Sequence, residues 1–207
     1  MKNNNMKSKV NDIDKVLKAL PKECWYKQYD EPTVWKYFEQ NPGNNKEDVV
    51  TEKVRLLNTH YKTHAYPNAK VAKQVRTIKS LDKLIASGDP EAVDLIVEAI
   101  QPVTGNKQYS FATKYCAMHN PQAFPIYDRY VAMYFKDLYK KGDLAPEYDE
   151  HQYGGIEAFD DKVLRNPAEY IKMYNRFMQA HDIADKYKYR DIDLYIWSKE
   201  IKKAKGY

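Results

Sequence analysis

Apolar residues recur at intervals of three and four along most of this chain, and that spacing limits the fold to one built from helices. From Val49 to Tyr61 the spacing places the apolar side chains on one face of a helix. The 207 residues include 7 glycines, fewer than the turns of a β-sandwich or barrel usually need. No convincing pair of strands stands out. We therefore predict an all-α fold.

Capping residues and prolines divide the chain into predicted helices. Asn11 and Thr33 suit N-caps, Pro167 suits a first turn, and Gly88 suits a helix end. With the apolar spacing, they predict helices over about 11–20, 33–40, 46–61, 69–86, 90–101, 109–119, 128–139, 166–180 and 189–203. Loops are predicted at 102–106 and 140–155.

The length fits one domain preceded by a short tail. Residues 1–10 are rich in Asn and Lys and are predicted to be disordered. Residues 11–207 are predicted to form a single helical domain. Within it we expect two lobes, one of about 11–45 with 156–207 and the other of about 46–155.

The sequence predicts a cytoplasmic protein. Residues 1–10 lack the apolar region of a signal peptide, and no apolar run approaches the length of a membrane span. Cys24 and Cys116 are far apart, as suits reduced thiols. The sequence does not indicate an oligomeric state.

A mildly basic balance permits a nucleic-acid partner. The chain has 34 Lys and Arg against 29 Asp and Glu, a net charge of +5, with a pI of about 8.9. Part of the excess lies in residues 186–207, where a solvated helix face explains it as well as a phosphate contact does.

The stretch from Ser110 to Val131 holds two residues that could carry chemistry. A predicted helix contains Lys114, an Asn-Pro break follows, and an extended segment delivers Asp128 to the start of the next helix. In the plainer interpretation, Asp128 caps its helix and Lys114 is a surface lysine. In the catalytic one, the carboxylate stabilises positive charge on a sugar and the amine attacks the sugar carbon. Spacing alone favours the plainer interpretation.

The segment Phe124–Val131, Phe-Pro-Ile-Tyr-Asp-Arg-Tyr-Val, resembles the one that holds the essential aspartate in adenine-type helix-hairpin-helix DNA glycosylases. Pro121–Ala123 is similar to the same connection in 8-oxoguanine glycosylases, and Thr113-Lys114 resembles the Thr-Lys in which bifunctional members carry their nucleophile. Leu56–Thr63 and Tyr189–Trp197 resemble helices of uncharacterised bacterial proteins grouped as 8-oxoguanine-glycosylase-like.

This resemblance implies a two-lobed, all-helical fold with the active site between the lobes and double-stranded DNA as the partner. Asp128 is then the catalytic carboxylate and Lys114 the nucleophile. The resemblance implies no metal and no organic cofactor. The hairpin is divergent, because Tyr109–Thr113 lacks the glycine pair of the family's loop.

Six further residues are candidates for substrate contacts: Asn58, His60, Tyr61, Tyr127, Arg129 and His119. The first three lie on a segment that resembles a helix inserting polar side chains near the target base. Arg129 could bind a phosphate or pair with an acidic neighbour. His119 is expected at a helix end, bonding local carbonyls or moving a proton.

Two histidines, His60 and His64, have the i, i+4 spacing that would put both imidazoles on one helix face for a metal. No third ligand stands out nearby, so surface or capping positions are favoured and no metal site is expected.

The function predicted from these residues is excision of a damaged or modified base by cleavage of its N-glycosidic bond, with the nucleotide flipped out of the duplex. Lyase activity would follow if Lys114 is the nucleophile. The alternative is a catalytically inactive nucleic-acid- or protein-binding module of the same fold, for example in phage defence. A small-molecule enzyme on this scaffold is a third option.

Overall fold

All the regular structure in the described residues is helical, which confirms the all-α prediction. The computed structural model describes residues 12–20, 31–144, 148 and 153–205. Cys24 and the predicted tail at 1–10 lie outside them. Across the described part of the chain, no helix combines the length and the apolar character needed to cross a membrane.

The helices are numbered in chain order. They are α1 (12–19), α2 (Glu31–Gln40), α3 (Glu47–Tyr61), α4 (Asn68–Thr77), α5 (Leu81–Ser87), α6 (Glu91–Thr104), α7 (Tyr109–His119), α8 (Arg129–Lys141), α9 (Ile156–Phe159), the π-helix π1 (Asp160–Leu164), α10 (Pro167–Ala180) and α11 (Tyr189–Lys205).

The chain separates into two compact units, the middle unit (residues 28–125) and the N/C unit (residues 1–27 with 126–207). The lobe boundaries that we predicted near 45 and 155 therefore fall at 27 and 125. The first moves because α2 packs on α3 and α7, and the second because α8 packs on α11.

The middle unit is organised around α7. This helix is buried on nearly every side, with Tyr109 and every residue from Phe111 to Met118 buried. A helix buried on most of its faces belongs in the interior, and here α2, α3, α5 and α6 all pack against it. The surrounding helices contribute apolar side chains such as Phe38, Val54 and Ile96.

Aromatic side chains form the core of the N/C unit. Phe135 meets the rings of Tyr174 and Phe177 edge-on, each at a centroid distance of 5.3 Å. Tyr134 packs edge-on against Phe177 at 6.1 Å. These residues bring α8 and α10 together, and they show where several of the 19 tyrosines go: into the core rather than onto a binding surface.

Two predicted elements differ from those observed. The helix predicted over 69–86 is broken into α4 and α5, because the Thr77 hydroxyl bonds back to the Gln74 carbonyl at 2.6 Å and Ile78 is extended. The predicted loop at 102–106 begins later, because α6 continues through Pro102. Gly105, at φ 74°, caps that helix and donates to Gln101 O at 2.9 Å.

Candidate functional site

Lys114 is a buried lysine, so the plainer interpretation of it as a surface residue is wrong. It lies in α7 with 2% of its surface exposed. Its Nζ donates to Ser110 Oγ at 2.8 Å, one turn earlier on the same helix. The Tyr61 ring lies 6.0 Å from the same Nζ, which joins two of the predicted site residues. We call Lys114, Ser110 and Tyr61 the Lys114 cluster.

A short interhelical loop precedes this cluster. Residues 105–108 connect α6 to α7, and the two helices pack on each other. The loop contains one left-handed glycine, Gly105, and not the glycine pair whose lack already marked the hairpin as divergent in the sequence. Gln108 stands at the N-cap of α7 without a side-chain cap hydrogen bond. Lys114 is the sixth residue of the helix that follows this loop.

The Asn58 side chain hydrogen-bonds residues in and just after the loop that follows α3. Its Nδ2 donates to Ala65 O at 2.7 Å and to Asn68 Oδ1 at 2.8 Å. Its Oδ1 accepts from Thr63 Oγ1 at 2.6 Å and from Ala65 N at 2.8 Å. Both donors and both lone pairs of the amide are therefore used internally. Asn58 holds a loop in place and has no spare group for a base.

The loop that Asn58 holds also separates the two histidines considered for a metal. Helix α3 ends at Tyr61, so His60 lies in its last turn, while His64 lies in the loop at φ 58°. The shared helix face that the spacing suggested is therefore absent. No group of three His, Cys, Asp or Glu side chains within the described part of the chain is arranged to hold a metal.

His119 belongs to a buried polar network that the sequence did not predict. Lys53, whose surface is 0% exposed, places its Nζ 2.8 Å from Gly43 O, 3.3 Å from Asn44 Oδ1 and 3.2 Å from His119 Nε2. Tyr115 OH donates to the same Asn44 Oδ1 at 2.5 Å. We call Lys53, Asn44, Tyr115 and His119 the Lys53 network.

Burial sets the protonation of this network. It lowers the pKa of Lys53 to about 7, with Asp82 opposing the shift. It lowers the pKa of His119 to about 3, helped by the Lys53 charge and opposed by a hydrogen bond to the Pro42 backbone. A neutral imidazole can accept from Lys53. His119 thus ties α7 to α3 and to the 41–46 loop, rather than bonding its own helix end.

Asp128 caps α8, as the plainer interpretation predicts. Its backbone is extended, and its Oδ1 accepts from Tyr130 N at 2.9 Å and from Val131 N at 3.0 Å. Two of the free amides at the helix start are thereby satisfied, and the negative charge sits at the positive end of the helix dipole. The side chain is half-buried. Lys114 belongs to the middle unit and Asp128 to the N/C unit.

The residues on either side of Asp128 differ in exposure. Tyr127 is buried and meets the Tyr170 ring edge-on at 5.8 Å. Arg129 is exposed, with its guanidinium 5.0 Å from the centre of the Tyr130 ring and a donor 3.2 Å from that hydroxyl. Among the predicted contacts, Arg129 therefore offers a charged group to solvent.

Sequence reasoning missed Lys53, although a signal was present. Lys53 is three residues after Val50 and four before Leu57, so it lies on the buried stripe of α3. A lysine on an apolar stripe indicates a buried amine with partners. Asp160 and Arg165, which form an ion pair in the N/C unit, gave no such signal, because their pairing depends on a π-helical turn.

Comparison with known proteins identifies a family and a relative of this chain. The model of the HI_0787_N family, described as an N-terminal domain, matches residues 4–123. This range contains Lys114 and the Lys53 network but ends before Asp128. An uncharacterized protein of Haemophilus influenzae is 34% identical over 162 residues, 74% of this chain and 68% of that protein. No solved structure matches the chain.

Proposed function

This chain belongs to the HI_0787_N family, and we propose that it releases a damaged or modified base from double-stranded DNA by cleaving the N-glycosidic bond. The fold we assign to it is a divergent helix-hairpin-helix type, with the loop at 105–108 in place of the hairpin. The burial of Lys114 carries this proposal. A lysine amine kept from water is suited to nucleophilic attack on a sugar carbon.

The proposed chemistry balances without a cofactor. The Lys114 amine attacks the sugar carbon that bears the base, and the bond from that carbon to the base nitrogen breaks. The electron pair leaves with the base, which takes up the proton that the amine loses. The bond from the same carbon to the ring oxygen then breaks, the oxygen takes the electron pair and the remaining amine proton to become a hydroxyl, and a Schiff base joins the sugar carbon to Lys114.

We assign to Asp128 the second role in this reaction, stabilising the charge that develops on the sugar. As the glycosidic bond breaks, positive charge develops on the sugar, and a carboxylate nearby stabilises it. The two backbone amides that bond Oδ1 hold the side chain in one orientation. A group fixed before the reaction needs no reorganisation during it. Capping and catalysis are therefore compatible uses of this residue.

Base release from a panel of duplexes, each holding one modified base, tests the proposal. Asp128→Asn is the informative variant, because asparagine caps helices as well as aspartate does but carries no charge. We expect release by the wild type on at least one duplex and a loss of about a hundredfold or more in the variant. A well-folded wild type inactive on every duplex would contradict the proposal.

A binding module without chemistry is the second candidate. It is favoured by the cap itself, because hydrogen bonds to Tyr130 N and Val131 N account for an aspartate at this position. Salt-dependent DNA binding without base release would support this candidate.

A further inference from the structure

A charged cluster of Asp160, Arg165 and Lys136 lies in the N/C unit, which also contains Asp128. Arg165, whose side chain is 57% exposed, directs its Nε to Asp160 Oδ2 at 3.0 Å. The Asp160 side chain is 6% exposed, and Lys136 Nζ lies 3.2 Å from the same oxygen. One buried carboxylate oxygen therefore serves two cations, and one of these reaches far into solvent.

The π-helix π1 makes this pairing possible. Its backbone hydrogen bond from Arg165 N to Asp160 O, at 2.9 Å, joins residues five apart. In an α-helix, side chains five apart point in different directions, whereas a π-turn brings them to one face. Insertions of this kind recur at functional sites. The turn aligns the carboxylate with the guanidinium.

Burying the Asp160 carboxylate costs free energy that its ion pairs do not offset, because one of its oxygens lacks a hydrogen-bond donor among the described residues. Its Oδ1 is buried, and no donor in the described part of the chain bonds it. Burying a carboxylate oxygen without a partner is unfavourable, and apolar side chains would stabilise such a position at least as well. The arrangement is better explained as an anchor that fixes the direction of Arg165.

Tyr127 links this anchor to Asp128. Arg165 hydrogen-bonds the Tyr127 side chain. The pKa of Tyr127 is raised, first by burial and then by the negative charges of Asp160 and Asp128, while Arg165 opposes the shift. Both carboxylates and the guanidinium therefore act on the same phenol. Tyr127 directly precedes Asp128, so Arg165 is hydrogen-bonded to the residue next to the proposed catalytic carboxylate.

We propose that Arg165, held by Asp160 and Tyr127, binds a backbone phosphate of the nucleic acid. A guanidinium is a planar fork that grips phosphate oxygens through two parallel hydrogen bonds, and anchoring through Nε leaves such a fork pre-oriented. The inference rests on the proposed function for its choice of ligand, since Arg165 is hydrogen-bonded to Tyr127, the residue before the proposed catalytic carboxylate.

The experiment measures binding of a short fluorescent DNA duplex over a series of salt concentrations. Arg165→Gln should weaken binding about tenfold and reduce the slope of log K against log salt by about one. Lys162→Gln is the matched control, because it removes one exposed positive charge from the same π-helix. It should leave affinity and slope close to those of the wild type. Equal effects of the two variants would overturn the inference.

Asp160→Asn tests the direction in which DNA affinity changes when the anchor is removed. The substitution raises the net charge by one, so general electrostatic attraction predicts tighter binding. Loss of the anchor predicts weaker binding, because Arg165 is no longer held in position. If melting curves show that this variant does not fold, Arg165→Lys replaces it: we expect weaker binding with an unchanged salt slope, because the charge remains and the fork is lost. Wild-type affinity in Arg165→Lys would overturn the inference.

The outcomes separate this inference from the proposed function. Arg165-dependent binding without base release supports the phosphate site and removes the glycosylase proposal. Base release with binding that does not depend on Arg165 supports the glycosylase proposal and removes the phosphate site. A wild type that binds no duplex at any salt concentration overturns both.

Discussion

Lys53 illustrates how one buried side chain can set the pH response of a fold. Its Nζ is surrounded by the Gly43 carbonyl, the Asn44 amide oxygen and His119. Asp82 is the nearby negative charge, and it opposes the lowering of the Lys53 pKa only in part. The amine therefore loses its proton at a lower pH in the folded chain than in the unfolded chain.

The sign of the resulting stability change follows from this difference. Burial lowers the pKa of Lys53 from the ordinary 10.5 to about 7. Between these values the unfolded chain holds a proton that the folded chain has lost, so the free energy of unfolding increases as the pH rises. The limit is about 1.4 kcal/mol per pH unit for one group.

Urea unfolding at pH 7.0 to 8.0 checks this prediction, with Lys53→Met as the comparison. The buried thiol of Cys116, whose pKa is raised by burial, acts in the opposite direction above about pH 8.5, which limits the useful window. The wild type should gain about 1 kcal/mol more than the variant across this window. Parallel pH profiles would show that Lys53 does not titrate there.

Asn58 gives a prediction that separates holding a loop from binding a base. Asn58→Ala removes four hydrogen bonds and leaves the buried Thr63 hydroxyl and Ala65 amide without their acceptor. We expect a loss of about 3 kcal/mol in the free energy of unfolding. Thr59→Ala, on the exposed side of the same helix, should change it by less than about 0.5 kcal/mol. Chemical denaturation measures both, and similar values would contradict the assigned structural position.

At the scale of the elements, several helix ends could be predicted from a capping side chain or a glycine, but Thr33 was wrongly predicted as a cap, because α2 begins at Glu31 and contains it. Gly88 ends α5, and Asn166 and Asp128 cap α10 and α8 through their side chains. The break between α4 and α5 was missed because Val71, Val75, Ile78, Leu81 and Ile85 keep intervals of three and four across it. Both segments bury the same stripe, so the apolar pattern is the same with or without the break.

Two left-handed glycines, Gly88 and Gly105, differ in the space that each leaves for a Cβ. Gly88 and Gly105 have φ values of 72° and 74°, but a Cβ on Gly88 would lie 2.7 Å from the Ala123 Cβ, whereas nothing lies within 4 Å at Gly105. Gly105→Ala should cost about 1 kcal/mol through its backbone alone. Gly88→Ala should cost a further 1–3 kcal/mol, about what overpacking costs. Equal shifts in melting temperature would contradict the close approach.

For the whole molecule, composition and periodicity were enough for the all-α class but not for the division into units. That division depends on which distant helices pack together: Phe38 of α2 meets Tyr115 and His119 of α7, and α8 packs on α11. Long-range packing leaves no mark in a local pattern. Asp160 and Arg165 were missed for a local reason, because their pairing depends on a π-helical turn that the apolar spacing does not mark.

The claim on which the proposed function depends is that the Lys114 amine reacts with a sugar. Borohydride reduction in the presence of the modified-base duplexes, followed by mass spectrometry of the digested protein, tests it directly. We predict a DNA-derived adduct on the peptide that contains Lys114, none on Lys53, and loss of the adduct in Lys114→Met. An adduct on another lysine, or no adduct with any duplex, would contradict the account.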